Sequence, residues 1–211
     1  MNAQLTAASS TLLVSPPGGE LRPVLDRLAA EGRLTIIDVY DLEQVPLTCY
    51  KGVLISQHAD QRHLQRLQPK LEAFLGQGGI LVFCGHVAHP FLPELTPFVP
   101  LKNYKLADLQ IQRAASHPIW DGVTDYDLTF RKGVAGFHGR GYNPPPPGAL
   151  IINTLGPQRL PLDWEYRRPG GGTLVVHSGN NLWNHLDDDT TLARCTPQLL
   201  HWIEQEGRAV R

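Results

Sequence analysis

Cysteine is scarce in this 211-residue chain. Cys49, Cys84 and Cys195 are the three present, odd in number and widely spaced. That excludes the disulfide framework that holds small secreted domains together. Charge is thin and balanced: 19 basic and 20 acidic side chains leave a formal net charge of −1. Such a balance gives no electrostatic footprint for nucleic acid or an anionic membrane. Long apolar runs are missing as well. Leu12-Leu13-Val14 is far too short for a membrane span, and the first ten residues lack the cationic start of a signal peptide. These absences predict a cytoplasmic protein with neither nucleic-acid nor membrane partners. Hydrophobic residues at 42% suffice for a full core. No repeat or linker divides the chain, so a single domain is expected over residues 1–211, with its core at about 11–206.

Glycine and proline are plentiful, at 20 and 18 residues, and they punctuate the chain into short elements. Thr11 to Ser15 reads as a strand closed by Pro16-Pro17-Gly18-Gly19. Leu21, Val24, Leu25 and Leu28 then recur at helical spacing, with Pro23 tolerable in the first turn. Leu34 to Val39 and Gly52 to Ser56 are further apolar strands. Asp60 is placed to cap a helix carrying Leu64 and Leu67, and Pro69 opens a second one carrying Leu71, Phe74 and Leu75. Gly78-Gly79 leads into a strand over Ile80 to Phe83. Strands apolar on successive positions are covered on both faces, which predicts an α/β fold with a mainly parallel sheet between helices.

The second half reads differently. Four prolines between 87 and 100 predict an irregular loop, and Pro144 to Pro147 predict a polyproline II surface segment. Leu106 to Gln112 and Asp127 to Lys132 read as half-exposed strands. Ala149 to Asn153 and Pro161 to Tyr166 are expected to pair, giving an antiparallel extension. Thr173 to His177 is another buried strand, and Thr196-Pro197 caps a last helix with Leu199, Leu200, Trp202 and Ile203 on its apolar face.

Two strands end on residues with chemistry, Cys84-Gly85-His86 and His177-Ser178. In a parallel sheet both ends would reach the carboxyl edge, where open α/β folds bind ligands. The order of elements resembles the class I glutamine amidotransferase-like superfamily, especially its ThuA-like branch. Three patterns carry the resemblance: Leu12 to Gly19, Phe74 to Val82, and His117-Pro118-Ile119-Trp120-Asp121-Gly122-Val123. It implies a flavodoxin-like, doubly wound sheet with the functional site after the Ile80 to Phe83 strand. It also implies Cys84 as nucleophile and His177 as base. A neighbouring histidine lowers a thiol's pKa, so the pairing predicts Cys84 as the most reactive thiol. Two departures argue against glutaminase activity. Val82 and His86 are bulky where a strained elbow needs small neighbours, and Ser178-Gly179 replace the Pro-Glu that follows the family's histidine.

The candidate ligand-binding residues are Gly85, His86, Ser178, Asn180, Asn181 and Trp183. Asparagine amides beside an indole suit a small polar, even carbohydrate-like, molecule. Cys84, His86 and His89, with His177 or His185, could be read as soft metal ligands, but the paired spacing of structural zinc sites is missing, so no metal and no cofactor is expected. Asp187-Asp188-Asp189 reads as a solvated loop or a cap ahead of the last helix. Arg131, Lys132, His138 and Arg140 bracket a glycine-rich segment that could hold an anion, but it has no phosphate-binding motif, and a basic, exposed loop explains it equally well. The competing reading is a non-catalytic module that makes partner contacts or a homodimer through its proline-rich loops.

Overall fold

A computed structural model describes residues 9–19 and 23–207. Its centre is an eight-stranded mixed sheet built from β1 (Thr11–Ser15), β2 (Thr35–Asp38), β3 (Gly52–Ile55), β4 (Ile80–Cys84), β5 (Ile111–Arg113), β6 (Leu150–Leu155), β7 (Leu160–Arg167) and β8 (Thr173–His177). The spatial order is β2-β1-β3-β4-β8-β7-β6-β5. The first five of these run parallel, and β7, β6 and β5 extend the sheet antiparallel. This is an α/β doubly wound, flavodoxin-like sheet with an antiparallel extension.

Among the described residues, five α-helices accompany it: α1 (Pro23–Ala30), α2 (Gln61–Arg66), α3 (Gln68–Gly76), α4 (Asp125–Thr129) and α5 (Cys195–Glu206). Strand side chains alternate between faces, so the parallel strands supply both halves of the core. Leu13, Leu54, Val82 and Val175 pack with α1 and α5, while Leu12, Val53, Leu81 and Val176 pack with α2 and α3. α5 lies so close to β3 that a Cβ on Gly52 would stand 2.5 Å from Ile203. Gly172 holds a left-handed φ of +78°, and any side chain there would run into the Leu75 carbonyl. The expected position of Leu21 on α1 lies outside the described residues.

Three elements differ from the sequence reading. Residues 127–132 are not a strand. Thr124 accepts a hydrogen bond from the Asp127 N–H (3.2 Å) and caps α4, which leaves only Phe130–Arg131 extended. Local capping chemistry overrides a weak alternation there. Leu106–Leu109 is a 3₁₀ turn, and the strand starts only at Ile111. Thr196 does not cap α5: Arg194 holds the cap position without a side-chain bond, and the Thr196 hydroxyl donates to the Leu182 carbonyl at 3.3 Å. Asp187 and Asp188 are likewise engaged elsewhere, with Arg27 (2.7 Å) and Arg131 (3.2 Å).

Candidate functional site

β3, β4 and β8 are adjacent and parallel, and their registers align Ile55 with Phe83 and Cys84 with His177. Their carboxyl ends therefore finish side by side. The loops that leave them enclose a cavity of about 410 Å³, a size that suits a small molecule. Gln57 and His58 come from the β3 exit, Gly85 and His86 from the β4 exit, and Ser178, Gly179 and Asn180 from the β8 exit. The remaining wall is a glycine-rich flap, with Gly136, Phe137, Gly139 and Arg140 facing the space.

Two buried asparagines hold these exits together. Asn181 accepts from the Gln57 N–H (2.9 Å) and donates to the Ser56 hydroxyl (3.0 Å), tying the β3 exit to the β8 exit. Asn143 accepts from the Val87 N–H (2.9 Å) and donates to the Gly85 carbonyl (2.8 Å) and the Ser178 hydroxyl (3.1 Å). Its own carbonyl takes the Trp164 indole N–H at 2.8 Å. Asn143 thus joins the β4 exit, the β8 exit and β7. Sequence reasoning missed it, because an asparagine before four prolines carries only a turn signal. Gln61, at the start of α2, adds a third clamp: it donates to the His86 carbonyl (2.8 Å) and accepts from the N–H groups of Ala88 and His89.

Gly85, His86, Ser178 and Asn180 line the cavity, whereas Asn181 and Trp183 do not. Asn181 serves as the clamp just described, and Trp183 is fully buried in the core. His86 sits exposed at the rim, its ring stacked on Phe98 at 3.7 Å between centroids. Partial loss of solvent on that flat contact pulls its pKa below the ordinary histidine value.

Cys84 does not reach the cavity. It is fully buried and packs with Val82, Cys195 and the α1–α5 side of the core. A nucleophile elbow puts the reactive side chain on the strained turn itself. Here the residue with left-handed φ (+112°) is Gly85, one position later, and a Cβ there would stand 2.6 Å from Gln57. The chain then enters the irregular loop with no helix behind it. His177 is neighbour to Cys84 in the sheet but is also fully buried. Its Nδ1 pairs with the buried Asp163 carboxylate, whose other oxygen accepts from the Asn153 amide at 2.5 Å. Neither side chain has the access that attack on a soluble substrate requires.

His138 is a second departure from the sequence reading. It is the inward-facing residue of the flap, 1% exposed, with its ring 4.9 Å from His185 and 5.9 Å from His177. Neither of its ring nitrogens has a hydrogen-bond partner among the described residues. Burial, with the nearby His185, His177 and Arg131, holds its pKa well below the ordinary value. His185 is lowered by burial too, against the opposing pull of Asp188 at 2.8 Å. Among the described residues no group of three or more His, Cys, Asp or Glu is arranged to hold a metal ion. Of the residues weighed as metal ligands, His89 accepts instead from the Arg62 guanidinium at 3.2 Å.

Fold and cavity together define a doubly wound α/β domain with a pocket at the carboxyl edge of its parallel strands. No helix among the described residues is long and apolar enough to cross a membrane. No protein-family model and no curated protein sequence matches the chain. Solved structures do. The cytoplasmic protein STM3548 from Salmonella typhimurium superposes with a TM-score of 0.63 at 13% identity, covering 94% of this chain and 99% of that one. The mmIFT52 N-terminal domain follows with a TM-score of 0.49 at 12% identity, covering 92% and 97%. The first of these likenesses establishes the shared fold and nothing finer.

Proposed function

We propose that this chain is a class I glutamine amidotransferase-like domain, of ThuA-like type, that binds a small polar molecule at the carboxyl edge of its sheet without thiol chemistry. The observation that carries the reading is the cavity of about 410 Å³ walled by the exits of β3, β4 and β8. Its walls are held by buried asparagine clamps, so the site is preorganised and little ordering is left for a ligand to bring about. Cys84 lies under this floor in apolar packing, which supports a binding role over a Cys-His hydrolase or transferase. The flap adds Phe137 as an apolar residue beside the polar loop ends.

The test is a thermal-shift screen of sugars, sugar acids, sugar phosphates and small carboxylates, repeated on an Asn180→Trp variant. Asn180 engages the flap through its backbone N–H to the Phe137 carbonyl (3.3 Å), so the indole fills the cavity while that bond remains. A ligand at about 100 times its Kd stabilises by about 2.7 kcal/mol, or about 5–10 °C in a chain of this size. A hit that shifts the wild type and not N180W supports the reading. Hits of equal size in both proteins, or no hits in any class, refute it.

A further inference from the structure

The cavity resting on that reading has a one-sided charge. Arg140 brings a permanent positive charge to its lining, and no aspartate or glutamate lines it. Several other arginines are neutralised by carboxylates, as in Arg27–Asp187, Arg131–Asp188 and Arg168–Glu94. Arg140 is not. Its Nε donates to the Gly136 carbonyl at 3.1 Å, and its terminal guanidinium nitrogens have no partner among the described residues. Gly136 makes this fold-back possible: a Cβ there would stand 2.9 Å from the Arg140 Nε.

A second observation points the same way. Among the described residues, the backbone N–H groups of His58, His86, Gly139 and Gly179 find no hydrogen-bond acceptor. Gly139 and Gly179 are buried residues on the cavity wall. A buried N–H is ordinarily paired with protein, water or ligand. Main-chain donors on the cavity wall beside an unneutralised guanidinium are the chemistry that receives an oxyanion. We infer that the cavity recognises a small molecule through a phosphate or carboxylate group, held by the Arg140 guanidinium and the N–H groups of the strand-exit loops.

A cavity of about 410 Å³ suits a small molecule, and the balanced charge of the whole chain offers no footprint for an anionic polymer. Neutral sugars would use the Asn180 amide but would leave the cation without a counter-charge. The inference thus names the ligand's charge where the preceding reading names only its polarity.

The experiment is an NMR titration of ¹⁵N-labelled protein with inorganic phosphate and, separately, acetate, with glycerol as the neutral control, at constant ionic strength. Saturable shifts are expected at the N–H signals of His58, His86, Gly139 and Gly179. An Arg140→Gln variant should bind the effective anion at least about tenfold more weakly, the order of one lost charge-assisted hydrogen bond. The phosphate and acetate arms tell a phosphorylated ligand from a carboxylated one. Absence of saturable shifts with both anions overturns the inference, as does unchanged affinity in R140Q. A neutral compound that shifts wild type but not N180W in the thermal screen would keep the pocket and remove its charge preference, so the two readings fail separately.

Discussion

Replacing His138 with phenylalanine should make the protein less sensitive to acid while costing little at neutral pH. The ring is 1% exposed and neither nitrogen has a partner, so an apolar ring of similar shape forfeits no hydrogen bond. We expect stability at pH 7.5 to change by less than about 1 kcal/mol. The acid effect follows from linkage. The folded-state pKa of His138 lies below the ordinary 6.5 of the unfolded chain, because burial, with His185, His177 and Arg131 nearby, disfavours the charged form. Between the two values the unfolded chain holds the extra proton, so stability is complete above about pH 6.5 and falls as pH falls. The loss is about 1.4 kcal/mol for each unit of pH within that window. His185 makes its own contribution of the same sign, offset by Asp188. Urea unfolding at pH 7.5 and 5.5 measures both quantities. H138F should lose less than wild type between those values, by at most about 1.4 kcal/mol. An identical pH dependence would refute the account. So would a cost of several kcal/mol at pH 7.5, which would mean that a water or ion satisfies the imidazole.

Asn143→Ala should lower stability by about 3 kcal/mol in urea unfolding, because it strands the buried Gly85 carbonyl and Val87 N–H and removes one of the two bonds Asn143 makes to the Ser178 hydroxyl. A loss below about 1 kcal/mol would mean that these groups re-pair locally. Iodoacetamide on the native protein should label Cys49, which is exposed, well before Cys84 or Cys195. Burial pushes the Cys195 thiol up to about 12, so it stays protonated. Mass mapping that finds Cys84 first would reinstate it as a nucleophile.

Much of the fold was written locally. Successive apolar residues in β1, β3, β4 and β8 told of strands covered on both faces, and Asp60 and Pro69 marked the helix starts that α2 and α3 use. The placement of a cavity at the ends of β4 and β8 followed from parallel order alone. Weakly periodic segments misled: the 127–132 stretch alternates well enough for a strand, yet the Thr124 cap makes most of it helical.

What the sequence by itself determined, then, is the run of elements and the edge where loops meet. Periodicity and turn residues act over a few positions, and those are visible in one dimension. Only the tertiary structure decided which strand-end side chains face solvent. Cys84 and His177 end neighbouring strands, but pleat and turn send them into the core, and Gly85, with no side chain, takes the strained position. Likewise the flap places Arg140 at the cavity and hides His138 behind it, although the two sit two residues apart. Burial and pairing depend on contacts far apart along the chain, such as Asn143 with Val87 and Ser178. No local pattern encodes them.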